Sequence, residues 1–141
     1  MSLDIDILRT VNLGGGLGYR LSSLPQIISP MKDILRGLLS SMEKLYVLVR
    51  KDLPKSQQAV QGGHAVAEYL LRDRSSFWDN GTLVYLAVDD EEELKSWGEI
   101  FHIMYAEYAE FREPDKNNEL TAIAALLDEE EQEVVSDLRL L

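Results

Sequence analysis

The stretch Leu45-Tyr46-Val47-Leu48-Val49 decides the fold, because it is a continuous apolar run rich in β-branched residues, with charges only at its borders, Lys44 and Arg50. A strand with one face in water alternates between apolar and polar residues, whereas a central strand covered on both faces does not. The run follows Met42 closely. We therefore predict a domain that begins at Met42 with a buried central strand.

Apolar periodicity downstream of this strand alternates between the spacings of helices and strands. It predicts a helix over Lys55–Arg72 with Ser56 as N-cap, a strand over Thr82–Val88, a helix from Asp89 or Asp90 to Ile103, strands over Tyr105–Phe111 and Leu120–Leu126, and a short acidic helix over Asp128–Val135. The predicted fold is an α/β three-layer sandwich on a four-stranded mixed β-sheet. Right-handed crossovers make the first strand pairs parallel, and a polar turn makes the last two strands antiparallel. Met104, Tyr105 and Tyr108 are interpreted as core residues.

Residues 1–41 differ from the rest of the chain. Four of the five residues from 14 to 18 are glycine, but no strand precedes them and no Lys-Ser/Thr follows, so the segment fits neither a P-loop nor a dinucleotide fingerprint. We interpret it as a loop. Apolar residues at helical spacing over 31–39 predict a short helix. The predicted organisation is an N-terminal extension, 1–41, followed by one α/β domain, 42–141.

Composition excludes several classes of protein. The chain has 45% hydrophobic and 28% charged residues, which is ordinary for a globular domain, and it has no cysteine and two histidines. Disulfides and thiolate metal sites are therefore excluded, and two histidines are too few for a histidine-rich metal site. No apolar run approaches the ~18 residues that cross a bilayer, and the N-terminus does not read as a secretory signal. The prediction is a cytoplasmic protein without membrane contact.

The net charge is −11 and is unevenly distributed. Residues 1–75 hold 10 Lys and Arg against 7 Asp and Glu, whereas residues 76–141 hold 4 against 18. Nucleic-acid affinity comes mainly from cations that neutralise phosphates. Any RNA contact would have to use a local basic cluster, which is otherwise a solvated rim: Arg50, Lys51, Lys55, Arg72 and Arg74.

The first predicted helix carries a polar stripe at i, i+4, i+7 and i+11, formed by Gln57, Gln61, His64 and Glu68. A solvated helix face and a functional site both explain this stripe. The pair Gly62-Gly63 costs on the order of 2 kcal/mol relative to alanine in a helix interior. Close approach of another backbone or of a ligand is the expected reason for that cost, and helix packing is the more common of these reasons.

In an open α/β sheet, ligands bind beyond the carboxyl ends of the strands. Three polar segments are predicted to meet there: Arg50-Lys51-Asp52 after the first strand, the beginning of the following helix, and Arg112-Glu113-Pro114-Asp115 after the third strand. The predicted pocket depends on His64 and Asp115 lying at the same end of the molecule.

Four short motifs carry a family resemblance. Val49-Arg50-Lys51-Asp52-Leu53 followed by Ala59-Val60-Gln61-Gly62-Gly63-His64-Ala65 resembles the N-terminal signature of type II peptidyl-tRNA hydrolases, and the Glu113-Pro114-Asp115 turn and Thr121-Ala122-Ile123-Ala124 strand are similar to later motifs of that family. The resemblance covers about Lys44 to Leu141. The family's Gly-Lys before this helix motif is replaced by Ser56-Gln57, and the aspartate turn is shorter, so the chain resembles a divergent, compact member.

The resemblance implies hydrolysis of the ester between a peptide and the 3′ end of tRNA, by a homodimer without metal or cofactor. It implies that Asp115 is the water-orienting base, that Thr121 or Gln61 gives hydrogen-bonding support, and that His64 orients another group or donates to the oxyanion. Substrate contacts would come from Arg50, Lys51, Lys55 and Gln57. The alternative hypothesis is a non-catalytic binding or regulatory module on this scaffold, of phage origin, whose acidic half faces a basic protein partner.

Overall fold

A computed structural model describes residues 42–72 and 78–141. The predicted glycine-rich loop and the helix over 31–39 lie outside the described residues. The strands are β1, Lys44–Arg50, β2, Leu83–Val88, β3, Glu107–Glu113, and β4, Glu119–Leu127. The helices are α1, Lys55–Arg72, α2, Glu91–Ile103, and α3, Glu129–Val134, and a 3₁₀ turn spans Pro114–Lys116.

The four strands form one mixed sheet in the order β2-β1-β4-β3. β1 and β2 are parallel, and β4 runs antiparallel to both of its neighbours. The predicted fold class, an α/β three-layer sandwich on a four-stranded mixed sheet, is confirmed. β4, the last strand in the chain, lies between β1 and β3.

Each face of the sheet packs against one long helix. On one face, Ala65 and Tyr69 of α1 pack with Val47 of β1 and Ala124 of β4. On the other face, Leu94 and Phe101 of α2 join a second cluster that includes Leu48 and Ile123. The predicted double burial of the first strand is therefore correct, and β4 is buried at every position from Leu120 to Leu127.

The start of β4 contains a β-bulge. Phe111 of β3 pairs with Ala122, but the next residue, Arg112, pairs with Leu120, which leaves Thr121 as the extra residue. A bulge places two successive side chains on nearly the same side of the sheet. Ala122 packs in the α1 layer and Leu120 in the α2 layer, and the Thr121 hydroxyl reaches a side chain of α1.

The helix boundaries agree with the sequence except at the first cap. α1 begins at Lys55, so Ser56 lies inside its first turn and the prediction that it is the N-cap is wrong. The Pro54 carbonyl accepts hydrogen bonds from the amides of Gln57 and Gln58. α2 is capped by Asp90, and Asp128 forms a capping box at the beginning of α3.

The third strand begins at Glu107, two residues later than predicted. After α2 ends, Tyr105 adopts a left-handed conformation with φ of 57°, and the amide of Ala106 donates to the carbonyl of Phe101. This is the hydrogen-bond pattern of a Schellman motif. Tyr105 is 88% exposed, so its assignment to the core is wrong. Met104 and Tyr108 are half-buried and pack against the core.

Arg50, at the end of β1, ties three chain segments together. Its Nε and Nη2 donate to the two carboxylate oxygens of Asp52, each at 2.9 Å, and its Nη1 donates to Glu119 at 2.9 Å and to the Leu120 carbonyl at 3.2 Å. The hydrogen bond from Arg50 is the largest cause that lowers the pKa of Asp52 below 3.8. This clamp fixes the end of β1 against the beginning of β4.

We expect Arg50→Lys to lower the free energy of unfolding by about 1–3 kcal/mol at neutral pH, because lysine cannot form the bidentate pair. The pKa of Asp52 is lowered in the folded state, so its contribution is complete above 3.8 and is lost as the pH falls through the folded value. The difference between wild type and variant should therefore shrink on acidification, as measured by urea unfolding across this range. Arg112→Lys, at an exposed single contact with Glu110, is the control and should change stability by less than about 0.5 kcal/mol. An equal loss in both variants would contradict the clamp.

The two helical glycines have different surroundings. A Cβ added at Gly62 would lie 2.5 Å from Cε2 of Tyr85. One added at Gly63 would have no heavy atom within 4 Å apart from its chain neighbours and the nearby backbone of its own helix. Close packing of the helix is therefore found at Gly62, although the neighbour is a side chain and not the predicted backbone, and the prediction is wrong at Gly63.

This asymmetry predicts opposite effects of one substitution at adjacent positions. Gly63→Ala should raise the free energy of unfolding by about 1 kcal/mol, because alanine is the better helix former. Gly62→Ala should lower it by about 1–3 kcal/mol, because the Tyr85 ring must move. Chemical denaturation of the two variants measures the difference. Stabilisation by both substitutions would show that Tyr85 yields without cost.

Candidate functional site

One end of the sheet collects the polar segments that the sequence predicts to meet. β1, β2 and β3 run in the same direction and end there, while β4 begins there. α1 and α2, each of which connects strands that start at the opposite end, also begin at this end. The side chains of the candidate site come from α1, from the end of β3 and from the bulge in β4.

A chain of hydrogen bonds joins Thr121, Gln61 and Glu113. The Thr121 hydroxyl donates to Oε1 of Gln61 at 2.5 Å, and Nε2 of Gln61 donates to Oε2 of Glu113 at 2.6 Å. Thr121 is 0% exposed and Gln61 is 4% exposed, so both polar groups depend on partners inside the protein. The predicted pair of Gln61 and Thr121 is thus brought together.

His64 lies one turn further along α1, beside the same carboxylate. Its imidazole stacks on the ring of Phe111, with ring centroids 4.5 Å apart and an angle of 11° between the planes. Stacking uses the face of the ring and leaves the two nitrogens at its edge for hydrogen bonds. The proximity of His64 contributes to lowering the pKa of Glu113.

Asp115 is exposed on the 3₁₀ turn that follows β3. Its backbone amide donates to Oε1 of Glu113 at 3.4 Å. Because His64 and Asp115 both neighbour Glu113, they lie at the same end of the molecule. The role of Asp115 as the base stays a prediction, and the residue that joins the buried network is Glu113.

The alternation of side chains along β3 indicates the position of Glu113, although the motif analysis did not use it. Side chains alternate along a strand, so Ala109, Phe111 and Glu113 share one face of β3. Ala109 and Phe111 pack in the α1 layer. A strand that continues to Glu113 therefore directs its last carboxylate toward α1, whereas Asp115 follows a proline beyond the strand.

Glu113 is ionised at neutral pH. Its pKa lies below the ordinary value of 4.5, chiefly because Gln61 donates a hydrogen bond to the carboxylate, with smaller contributions from the Asp115 amide, His64 and Lys116. A carboxylate with a lowered pKa is a weak base but a strong hydrogen-bond acceptor. The arrangement is therefore suited to orienting a water molecule or a ligand donor.

The predicted substrate-binding cations differ in their surroundings. Every nitrogen of the Arg50 guanidinium donates within the clamp described above. Lys51 forms an ion pair of 2.5 Å with Asp89 at the ends of β1 and β2, and both side chains are more than half exposed. Lys55 is exposed in the first turn of α1. Substrate binding by these three residues stays a prediction.

Gln57 lies one helical turn before Gln61. Its Oε1 is buried and accepts no hydrogen bond from the described part of the chain. Buried polar atoms without a partner are rare, because leaving one unsatisfied costs about 1–3 kcal/mol. Within the polar stripe of α1, the side chain of Gln61 therefore has hydrogen-bond partners on both its amide atoms, whereas the amide oxygen of Gln57 has none in the described part of the chain.

Within residues 42–72 and 78–141 there is no group of three or more His, Asp or Glu side chains placed to hold a metal ion. None of the helices in these ranges is both long and apolar enough to cross a membrane.

Comparison with known proteins shows that the chain is similar in fold to a solved structure. Neither a protein-family model nor a curated protein matches the chain. Among solved structures, a protein of unknown function from Agrobacterium tumefaciens strain C58 is similar, with a TM-score of 0.54 and 14% sequence identity. The similarity covers 71% of this chain and 98% of the other. At this identity the likeness shows that the two proteins share a fold, and it carries no assignment of function.

Proposed function

We propose that the chain is a peptidyl-tRNA hydrolase-like enzyme that cleaves the ester between a peptide and the terminal ribose of tRNA. The observation that carries this proposal is the ionised carboxylate of Glu113, held by the buried amide of Gln61 beside the His64 imidazole. Ester hydrolysis needs an oriented water, an acceptor for its proton and a donor near the developing oxyanion. Glu113 supplies the group that orients the water and His64 supplies the proton acceptor, both at one end of the sheet.

In the proposed reaction, Glu113 accepts a hydrogen bond from the water and aligns it. The water oxygen bonds to the ester carbonyl carbon, and the imidazole of His64 takes the proton that the water loses. The bond between that carbon and the ribose oxygen then breaks, and the proton passes from His64 to the ribose oxygen. Glu113 stays ionised throughout, in agreement with its lowered pKa.

In this proposal Lys55 contacts the tRNA directly. Lys51 contacts it after a phosphate has replaced Asp89 as its partner. Exposed ion pairs are worth about 0–1 kcal/mol, so a phosphate can displace Asp89 at little cost. Arg50 is assigned to the clamp in this proposal and not to the substrate. The homodimer implied by the resemblance and the cytoplasmic location predicted from the sequence remain part of the proposal.

A second candidate function is a non-catalytic module that binds a basic protein. The observation that favours it is electrostatic: residues 76–141 hold 18 Asp and Glu against 4 Lys and Arg, while Arg50 and Lys51 are paired with carboxylates. A surface of this sign repels a polyanion and attracts a cationic partner. The two candidates differ in whether the chain turns over peptidyl-tRNA.

The hydrolase is tested by incubating the full chain with N-acetylaminoacyl-tRNA and measuring release of the labelled N-acetylamino acid. We expect turnover by the wild type, and we expect Glu113→Gln to reduce its rate by about 100-fold or more, because a neutral amide cannot orient the water in the same way. Asp115→Asn should leave most of the rate if Glu113 is the functional carboxylate.

The matched control is Glu131→Gln in α3, which makes the same change of charge and retains a capping box, since glutamine also serves at that position. This variant should keep the wild-type rate. Complete inertness of the folded wild type would refute the hydrolase and leave the binding module. Loss of activity in Asp115→Asn but not in Glu113→Gln would move the water-orienting role back to Asp115.

A further inference from the structure

We propose that Thr121 is a positioning residue, which acts through the amide of Gln61 to aim the Glu113 carboxylate. The inference deepens the proposed function and rests on it for the catalytic role of Glu113. The aim and ionisation of the carboxylate can be measured independently of any activity.

The hydrogen-bonding capacities of the three groups set the direction of the chain. An ionised carboxylate only accepts hydrogen bonds, so the atom of Gln61 that lies 2.6 Å from Glu113 must be the amide nitrogen. The amide oxygen then faces Thr121, and the hydroxyl must donate to it. The alternative acceptor of the hydroxyl, the Phe111 carbonyl, lies further away, at 3.3 Å.

Without the hydroxyl, the orientation that serves Glu113 leaves the buried amide oxygen of Gln61 without the donor that Thr121 provides. A rotation of 180° about its last bond would place the amide oxygen against the Glu113 carboxylate, where two acceptors repel each other. It would also remove the hydrogen bond that contributes most to lowering the pKa of Glu113. Thr121 therefore stabilises the orientation in which the donor faces Glu113, although it does not touch the carboxylate.

The bulge in β4 gives Thr121 this position. Thr121 is the residue that has no partner on β3, and its side chain lies on the α1 side together with that of Ala122. A regular strand would direct two successive side chains to opposite faces. Bulges re-aim side chains in this way near functional sites.

Other charged and titratable groups lie near Glu113 on the neighbouring elements, and His64 and Lys116 lower its pKa by their charges. His64 approaches from α1, and Asp115 and Lys116 lie in the turn. Glu119 is the register partner on β4, but its carboxylate accepts from Arg50. None of these groups is altered by a substitution at Thr121, so the effect of Thr121 can be isolated.

The experiment is a pH titration of the Glu113 carboxyl carbon by NMR in the full chain, with assignment by the Glu113→Gln variant. We expect Thr121→Val to raise the pKa of Glu113 by about half a unit or more, because the amide donor is lost for part of the time. Thr121→Ser, which keeps the hydroxyl, should restore the wild-type value. Thr82→Val, at an exposed threonine before β2, should leave it unchanged.

The inference is overturned if Thr121→Val leaves the Glu113 titration unchanged, or if Thr121→Ser shifts it as much as valine does. If Thr121→Val does not fold, Thr121→Ala, which adds no bulk, replaces it under the same criteria. In the hydrolase assay, Thr121→Val should lower kcat, leave KM unchanged and move the acidic limb of the pH profile upward, with rescue by serine. A shifted titration in a chain that does not hydrolyse peptidyl-tRNA would uphold the positioning role and refute the proposed function.

Discussion

The burial of β4 is the constraint on which the rest of the structure depends. This strand lies between two other strands and between two helical layers, so a polar side chain on it must find its hydrogen-bond partner inside the protein. Thr121 finds that partner in Gln61, and the need for this contact fixes the position of α1 along the sheet. Apolar contacts are non-directional and tolerate sliding, whereas a buried hydrogen bond of this length does not.

A steric contact adds to this polar one at the next residue of the helix. Gly62 faces Tyr85 of β2, while Gln61 faces β4 and the end of β3, so consecutive residues of α1 meet strands on two sides of β1. Two contacts in different directions define the height and the rotation of the helix. Ala65 and Tyr69 then continue the buried face with apolar side chains. The glycine is therefore part of the same arrangement that presents Gln61 to Glu113.

The fold was largely predictable because periodicity and caps are local signals. The bounds of α1 and the end of α2 agree with the predicted ones, and Asp90 and Asp128 mark the beginnings of helices. The order of the strands and the bulge at Thr121 depend on pairing between distant segments, which periodicity does not contain. The motif reading grouped Gln61, His64 and Thr121 and assigned the base to Asp115 of the aspartate turn. It did not include Glu113, because the predicted β3 ended at Phe111, two residues early.

Glu113 and Glu119 are register partners at the open end of the sheet, where two like charges would repel each other. Their carboxylates have different partners: Glu119 accepts from the Arg50 guanidinium, and Glu113 accepts from the neutral amide of Gln61. The charge of Glu119 is thus compensated by a cation, while the hydrogen bond that holds Glu113 orients it without cancelling its charge. A carboxylate held in this way retains its attraction for a water proton or a cationic group. The clamp at Arg50 therefore does more than join β1 to β4, because it also places a cation against the carboxylate that is the register partner of Glu113.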